Sequence, residues 1–291
     1  MEKGWRTFGH QPRYMTNYVG LRGRLAILDE NYNYADFRTR VAGNYHLLRA
    51  ILDYAAANAA EIRRLAAEAD ARAVRSGLEP RETDTFGLDI DVRPLPGKLT
   101  IQGYEMEAPP PPAEGAAAGG GGFARLRPTD RKKAYVMPYY ADFYAQRSVR
   151  LPYAYLIPVA DPTIAVKLGD HGVVVERLTE AAGLEVEAFR IQEIKGAERI
   201  YQGHRTNTVK GAAAVEKRDF PAGTLVVRTA QPLGRLAAYL LEPESDDGLL
   251  LWNFFDRDIV SQWGRGAQTY PVYKLMIPIN LTTIALELPA P

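Results

Sequence analysis

The spacing of apolar positions changes along this chain, and each change marks an element. Leu25-Ala26-Ile27-Leu28 is an unbroken apolar run that delivers two carboxylates, Asp29 and Glu30, and then gives way to Tyr32 and Tyr34. A short run of this kind reads as a buried strand that presents an acid at the rim of an open α/β sheet, where ligands bind. From Ala35 the period lengthens. Phe37, Val41, Tyr45, Leu48 and Leu52 recur at helical steps and share one face. Asp36 stands at the start of that helix, where a carboxylate suits the macrodipole. Helix propensity stays high to about Arg75, with a break near Asn58 and Gly77 as the stop.

After Pro80 the pattern becomes β. Thr85 to Arg93 and Lys98 to Glu107 read as strands between proline and glycine punctuation. Residues 108–123 are rich in proline, alanine and glycine and read as a flexible surface insertion, with a domain linker as the other reading. Further on, Tyr153 to Pro158, Val173 to Leu178, Leu184 to Ile194 and Gly223 to Thr229 read as strands. Asp161-Pro162 is an N-cap with proline in the first helical position, and a short helix follows to about Gly169 or Gly172. Pro232 opens a second helix, with Leu233, Leu236, Ala237, Leu240 and Leu241 on one face, ended by Glu242-Pro243.

Composition narrows the function classes. The chain has 291 residues, 46% of them apolar and 24% charged, as a soluble globular protein does. Its formal charge of +1 offers no global field that would select nucleic acid or an anionic membrane. With no cysteine there is no disulfide, no thiolate metal site and no cysteine nucleophile. No apolar run reaches the roughly 20 residues that span a bilayer, and Met1 to Arg6 do not read as a signal peptide.

Candidate chemistry is sparse. His10, His46, His171 and His204 are far apart, and none begins a His-Glu-x-x-His motif. No Gly-x-Ser-x-Gly elbow and no phosphate loop are present. Tyr135, Tyr139, Tyr140, Tyr144, Tyr153 and Tyr155 make a tyrosine-rich stretch near Arg131, Lys132 and Lys133. Such a surface binds sugars or peptides, or fills the space between strands. The acidic run Glu242, Glu244, Asp246, Asp247 lacks calcium-loop spacing and reads as a solvated turn. Trp252, Phe254 and Phe255 read as core.

The string Tyr14-Met15-Thr16-Asn17-Tyr18-Val19-Gly20-Leu21-Arg22-Gly23-Arg24, running into the Leu25–Leu28 segment, carries a resemblance. It resembles the approach to the last catalytic strand and terminal helix of zinc carboxypeptidases of the carboxypeptidase A type, in a bacterial branch. The patches Pro152 to Pro158, Phe220 to Thr224, Gln231 to Gly234 and Leu241 to Asp256 resemble the region that follows that domain in such proteins.

The resemblance implies a mixed α+β chain in two parts. Residues 1–78 would be the terminal strand and long helix of an α/β carboxypeptidase domain, and 79–291 a β-rich accessory region with short helices. It also implies hydrolysis of C-terminal peptide bonds with zinc as cofactor, Glu30 being the general base to a metal-bound water. Arg22 and Arg13, with Arg24 as a further candidate, would receive the substrate carboxylate, while Tyr18 and His10 would touch the peptide. Tyr14, Tyr32 and Tyr34 are candidates for the mouth of that site.

The family's His-x-x-Glu pair and third histidine have no counterpart here, so this chain supplies no metal ligands of its own. The expectation is therefore the C-terminal part of a larger enzyme, inactive alone, with its strand and helix face covered by a missing N-terminal half or by self-association. Export to the periplasm or outside the cell would follow from a longer precursor. The alternatives are a non-catalytic peptide- or glycan-binding module and one half of a split peptidase.

Overall fold

A computed structural model describes residues 3–31, 35–108, 126–159, 161–262, 264 and 268–287. It is mixed α+β, with six helices and twelve strands among the described residues. They pack as two units, Met1–Gly9 with Ile90–Gln146, and His10–Asp89 with Arg147–Pro291. The Pro/Gly-rich tract lies almost wholly within 109–125, outside the described residues.

The first unit holds most of a three-stranded sheet in the order β1 (Trp5–Arg6), β5 (Tyr139–Arg150), β2 (Thr85–Pro94). Trp5 pairs in parallel with Tyr139, and Arg6 with Tyr140. Strands β3 (Leu99–Glu107) and β4 (Arg127–Met137) form a separate antiparallel pair, Leu99 opposite Met137.

The second unit is built on an antiparallel sheet of seven strands. Their order is β12 (Thr283–Ala285), β7 (Glu176–Leu178), β10 (Leu225–Arg228), β6 (Ala154–Ile157), β11 (Gln268–Leu275), β8 (Ala182–Gly196), β9 (Asn207–Phe220). Strand β6 is central and buried on both faces, which is why its sequence runs apolar without alternation. Along β8 the faces alternate: Leu184, Val186 and Ala188 enter one apolar cluster, Phe189 and Ile191 the other. Helices α4 (Pro162–Asp170), α5 (Gly234–Leu241) and α6 (Asp256–Val260) contribute to the larger cluster, with Ile164, Leu168, Leu236, Leu241 and Ile259. The Asp161 carboxylate caps α4 by accepting from the Thr163 N–H at 2.9 Å, and Pro162 occupies its first turn.

Two features at the amino-terminal end of this unit differ from the sequence reading. Met15–Leu21 is a helix, α1, and its Tyr18 and Leu21 pack against the larger cluster. Leu25 to Leu28 is not a strand: no ladder forms there, and Leu25 is 71% exposed. A strand holds its extended shape through ladder hydrogen bonds, and no described strand lies beside this run.

The long helix is present and broken where expected. Helix α2 (Phe37–Ala57) and helix α3 (Ala59–Leu78) meet at Asn58, whose Nδ2 donates to the Tyr54 carbonyl at 2.8 Å. The apolar face of α2 is uncovered, with Phe37, Val41, Tyr45, Leu48 and Leu52 all exposed. Helix α3 seats itself through a glycine. A Cβ on Gly77 would lie 2.1 Å from the Ala230 nitrogen, so only hydrogen allows the approach.

Candidate functional site

Helix α5 ends at Glu242-Pro243, and the acidic run follows around the turn. It differs from the solvated turn that its composition implies: Glu242 and Asp247 are buried, while Asp246 stays exposed. Each carboxylate has a partner brought by another part of the unit. Glu242, 2% exposed, accepts from the Tyr155 hydroxyl at 2.7 Å and stands 3.6 Å from Lys274 Nζ. Glu244 accepts from Arg147 Nη1 at 2.7 Å. Asp246 lies 2.7 Å from His10 Nε2 and accepts from the Gln11 amide and the Tyr239 hydroxyl. Asp247 is buried and accepts from Arg13 Nη2 at 2.7 Å and from Trp252 Nε1 at 2.9 Å. The turn is thus a clasp for the arm that precedes α1.

The electrostatics follow from burial set against pairing. Burial pushes the Asp246 carboxyl up, but His10, Tyr239 and Gln11 outweigh it and hold it below the usual carboxylate range. Burial raises the Glu242 carboxyl despite the nearby Lys274 ammonium. Burial lowers Lys274, yet Glu242 and Glu187 together leave it above its ordinary value. Glu187, Glu242, Lys274, Tyr155 and Tyr270 surround a cavity of about 10 Å³, room for about one water. The buried Tyr270 hydroxyl has no protein partner there.

The residues that the sequence nominates fall into two groups. His10 and Arg13 belong to the clasp; Arg13 also lies over the rings of Tyr201 and Trp252 at 5.5 and 5.4 Å. Tyr18 and Arg22 form a second contact, with His171 at the end of α4. Arg22 Nη1 donates to the His171 carbonyl at 2.6 Å and to the Tyr18 oxygen at 3.1 Å. The Tyr18 hydroxyl lies 2.9 Å from His171 Nδ1, and its oxygen also accepts from Arg22. Burial, then Lys167, lowers the His171 pKa, which favours the neutral imidazole.

Arg24 pairs with Asp70 at 2.8 Å. Glu30 is exposed, and neither contact includes it. Tyr32 and Tyr34 lie outside the described residues. Sequence reasoning did not nominate Lys274, Glu187 or His171. Lys274 left a signal: it is a lone cation in the otherwise apolar end of a strand, Val272-Tyr273-Lys274-Leu275.

Among the described residues, no three His, Asp or Glu side chains converge to hold a metal ion. They do not fit the zinc that the resemblance implies. Nor is any helix among them long and apolar enough to cross a membrane.

No family model matches the chain, and no solved structure matches it. Curated proteins match it in part. The likeness is to fungal carboxypeptidase 2. Carboxypeptidase 2 of Trichophyton tonsurans is 34% identical over 96 residues, 33% of this chain and 18% of that protein. The Trichophyton equinum protein of the same name is 30% identical over 124 residues, 43% of this chain and 22% of its own length. In Trichophyton rubrum the figure is 29% over 124 residues. This chain therefore spans about a fifth of the length of the curated relatives it matches, and its relationship to carboxypeptidases is partial.

Proposed function

We propose that this chain is the carboxyl-terminal part of a metallocarboxypeptidase-like hydrolase acting on C-terminal peptide bonds, and that it is inactive by itself. The partial likeness to carboxypeptidase 2 supports the class of activity. The observation that carries the division of labour is the uncovered apolar surface. Leu25, Ile27 and Leu28 stand exposed, as does the whole apolar face of α2. Exposed apolar side chains in that number suit an interface, and the rest of a catalytic domain is the occupant in this reading.

In the assembled enzyme Glu30 keeps the role of general base, and zinc and its ligands are assigned to residues outside this chain. Tyr18 and Arg22 fix α1, while His10 and Arg13 fix the arm before it. Together they hold the segment that leads to Glu30.

The test has two arms. The purified chain, offered zinc and an N-acyl dipeptide reporter, is expected to bind no stoichiometric metal and release no C-terminal residue. Release together with one tightly held zinc per chain overturns the division of labour. In a protein carrying this chain behind a His-x-x-Glu segment, Glu30→Gln is expected to abolish release and leave metal content unchanged. Retained release removes Glu30 from the reaction.

A further inference from the structure

Strand β9 is an outer strand of the seven-stranded sheet, paired with β8 on one side. A groove of about 850 Å³ lies beside its first residues, and Asn207, Thr208, Val209, Lys210 and Gly211 all line it. Successive side chains on a strand point to opposite faces. Five consecutive lining residues put the strand's backbone in the groove wall, and Gln192 of β8 shows that the groove also reaches over one face of the sheet.

The backbone places the open edge in the groove. The Asn207 N–H turns away from β8 and donates to the Leu251 carbonyl at 3.0 Å. In an antiparallel ladder the outward groups recur at every second residue. The N–H and C=O of Val209 and Gly211 therefore face outward as well. Among the described residues no group pairs with those two N–H donors from the far side.

Two side chains complete the site. The register of β8 against β9 slips between Ile191 and Glu193, and this bulge puts Gln192 in the groove wall. Ser245, only 6% exposed, lines the groove from the acidic turn, and its hydroxyl has no partner. The charged side chains along the groove are of both signs, Arg147 and Lys210 with Asp89, Glu244 and Asp246; Arg147 is held between Asp89 at 2.8 Å and Glu244 at 2.7 Å, and Asp246 is engaged by His10. A neutral main chain suits such a surface better than a charged head group does.

We propose that this edge captures a peptide in extended conformation, which adds to the sheet as a further strand beside β9. Its main chain pairs with Val209 and Gly211, and Gln192 and Ser245 supply the flanking polar contacts. At ~3.3 Å per residue the lined span fits about five peptide residues. Residues 243–246 and Leu251 line the groove beside the strand. The site stands on this geometry alone and does not depend on the hydrolytic reading.

The experiment titrates the whole chain into a fluorescein-labelled hexapeptide of alternating threonine and valine, read by anisotropy. Saturable binding is expected. The same peptide N-methylated at alternate residues is expected to bind about tenfold weaker, having lost its main-chain donors. Peptide should slow hydrogen exchange at Val209 and Gly211 and leave Thr208 and Lys210 as they were. Ser245→Ala should weaken binding about fivefold without lowering the unfolding temperature, because that hydroxyl bonds to nothing in the free chain. Absence of saturable binding, or equal binding of the N-methylated peptide, overturns the proposal. So does protection at Val209 and Gly211 that grows with protein concentration in the absence of peptide, which would give the edge to a second copy.

Discussion

Arg13 and Asp247 meet in a two-point ion pair at 2.7 and 3.2 Å although 234 residues separate them in sequence. Asp247 is almost wholly buried while Arg13 is partly open to water. Arg13→Ala leaves a buried carboxylate short of its cation and should lower stability by about 2–4 kcal/mol. In a double-mutant cycle with Asp247→Ala, urea unfolding should give a coupling of about 1–3 kcal/mol. Strictly additive effects would mean that the pair does not hold the arm.

Lys274 answers two acids, Glu242 and Glu187. Lys274→Met leaves Glu242 buried among Tyr155 and apolar neighbours, with its folded-state pKa driven further above the unfolded value. A carboxyl raised in this way costs stability once it must ionise, so the deficit is largest at high pH and shrinks on acidification. The variant should lose about 3–5 kcal/mol near neutral pH and recover part of it toward about pH 4. Denaturant midpoints across that range would measure it, and a deficit independent of pH would exclude an ionised Glu242 as its cause.

Gly77→Ala tests sterics against propensity. Within α3 alanine is favoured over glycine by about 1 kcal/mol. The added Cβ would, however, fall 2.1 Å from the Ala230 nitrogen and 2.2 Å from the Thr229 carbonyl carbon. Net destabilisation of about 1–3 kcal/mol is expected, together with faster hydrogen exchange along α3. A rise in thermal midpoint would show that α3 does not rest on that loop.

Leu48→Glu with Leu52→Glu places charges on the uncovered face of α2. Neither side chain is buried in the chain itself, so stability should change by no more than about 0.5 kcal/mol. Self-association, followed by light scattering after size exclusion, should fall. A large loss of stability would mean that this face already packs within one chain.

What the sequence made legible was local. The cap at Asp161, the break at Asn58 and the strand within Tyr153 to Pro158 each have causes within a few residues, and each forms as read. Strand β9 was hidden because Gly211 and Ala212 to Ala214 have weak strand propensity, and its pairing with β8 overrides that preference. The Leu25–Leu28 run fails in the opposite way: its pattern is strand-like, but a ladder needs a neighbour. At the site the acidic run was visible as charge, yet its partners are set by distant segments that no periodicity encodes.

The pairing of His10 and Arg13 with Asp246 and Asp247 also sets an order of events during synthesis. Asp247 is added to the chain 234 positions after Arg13, so the arm waits that long for its counter-charge. Its docking is a late, whole-chain step with a long loop to close. A proteolytic nick anywhere between would turn that closure into an encounter of two separate fragments, diluted by their concentration.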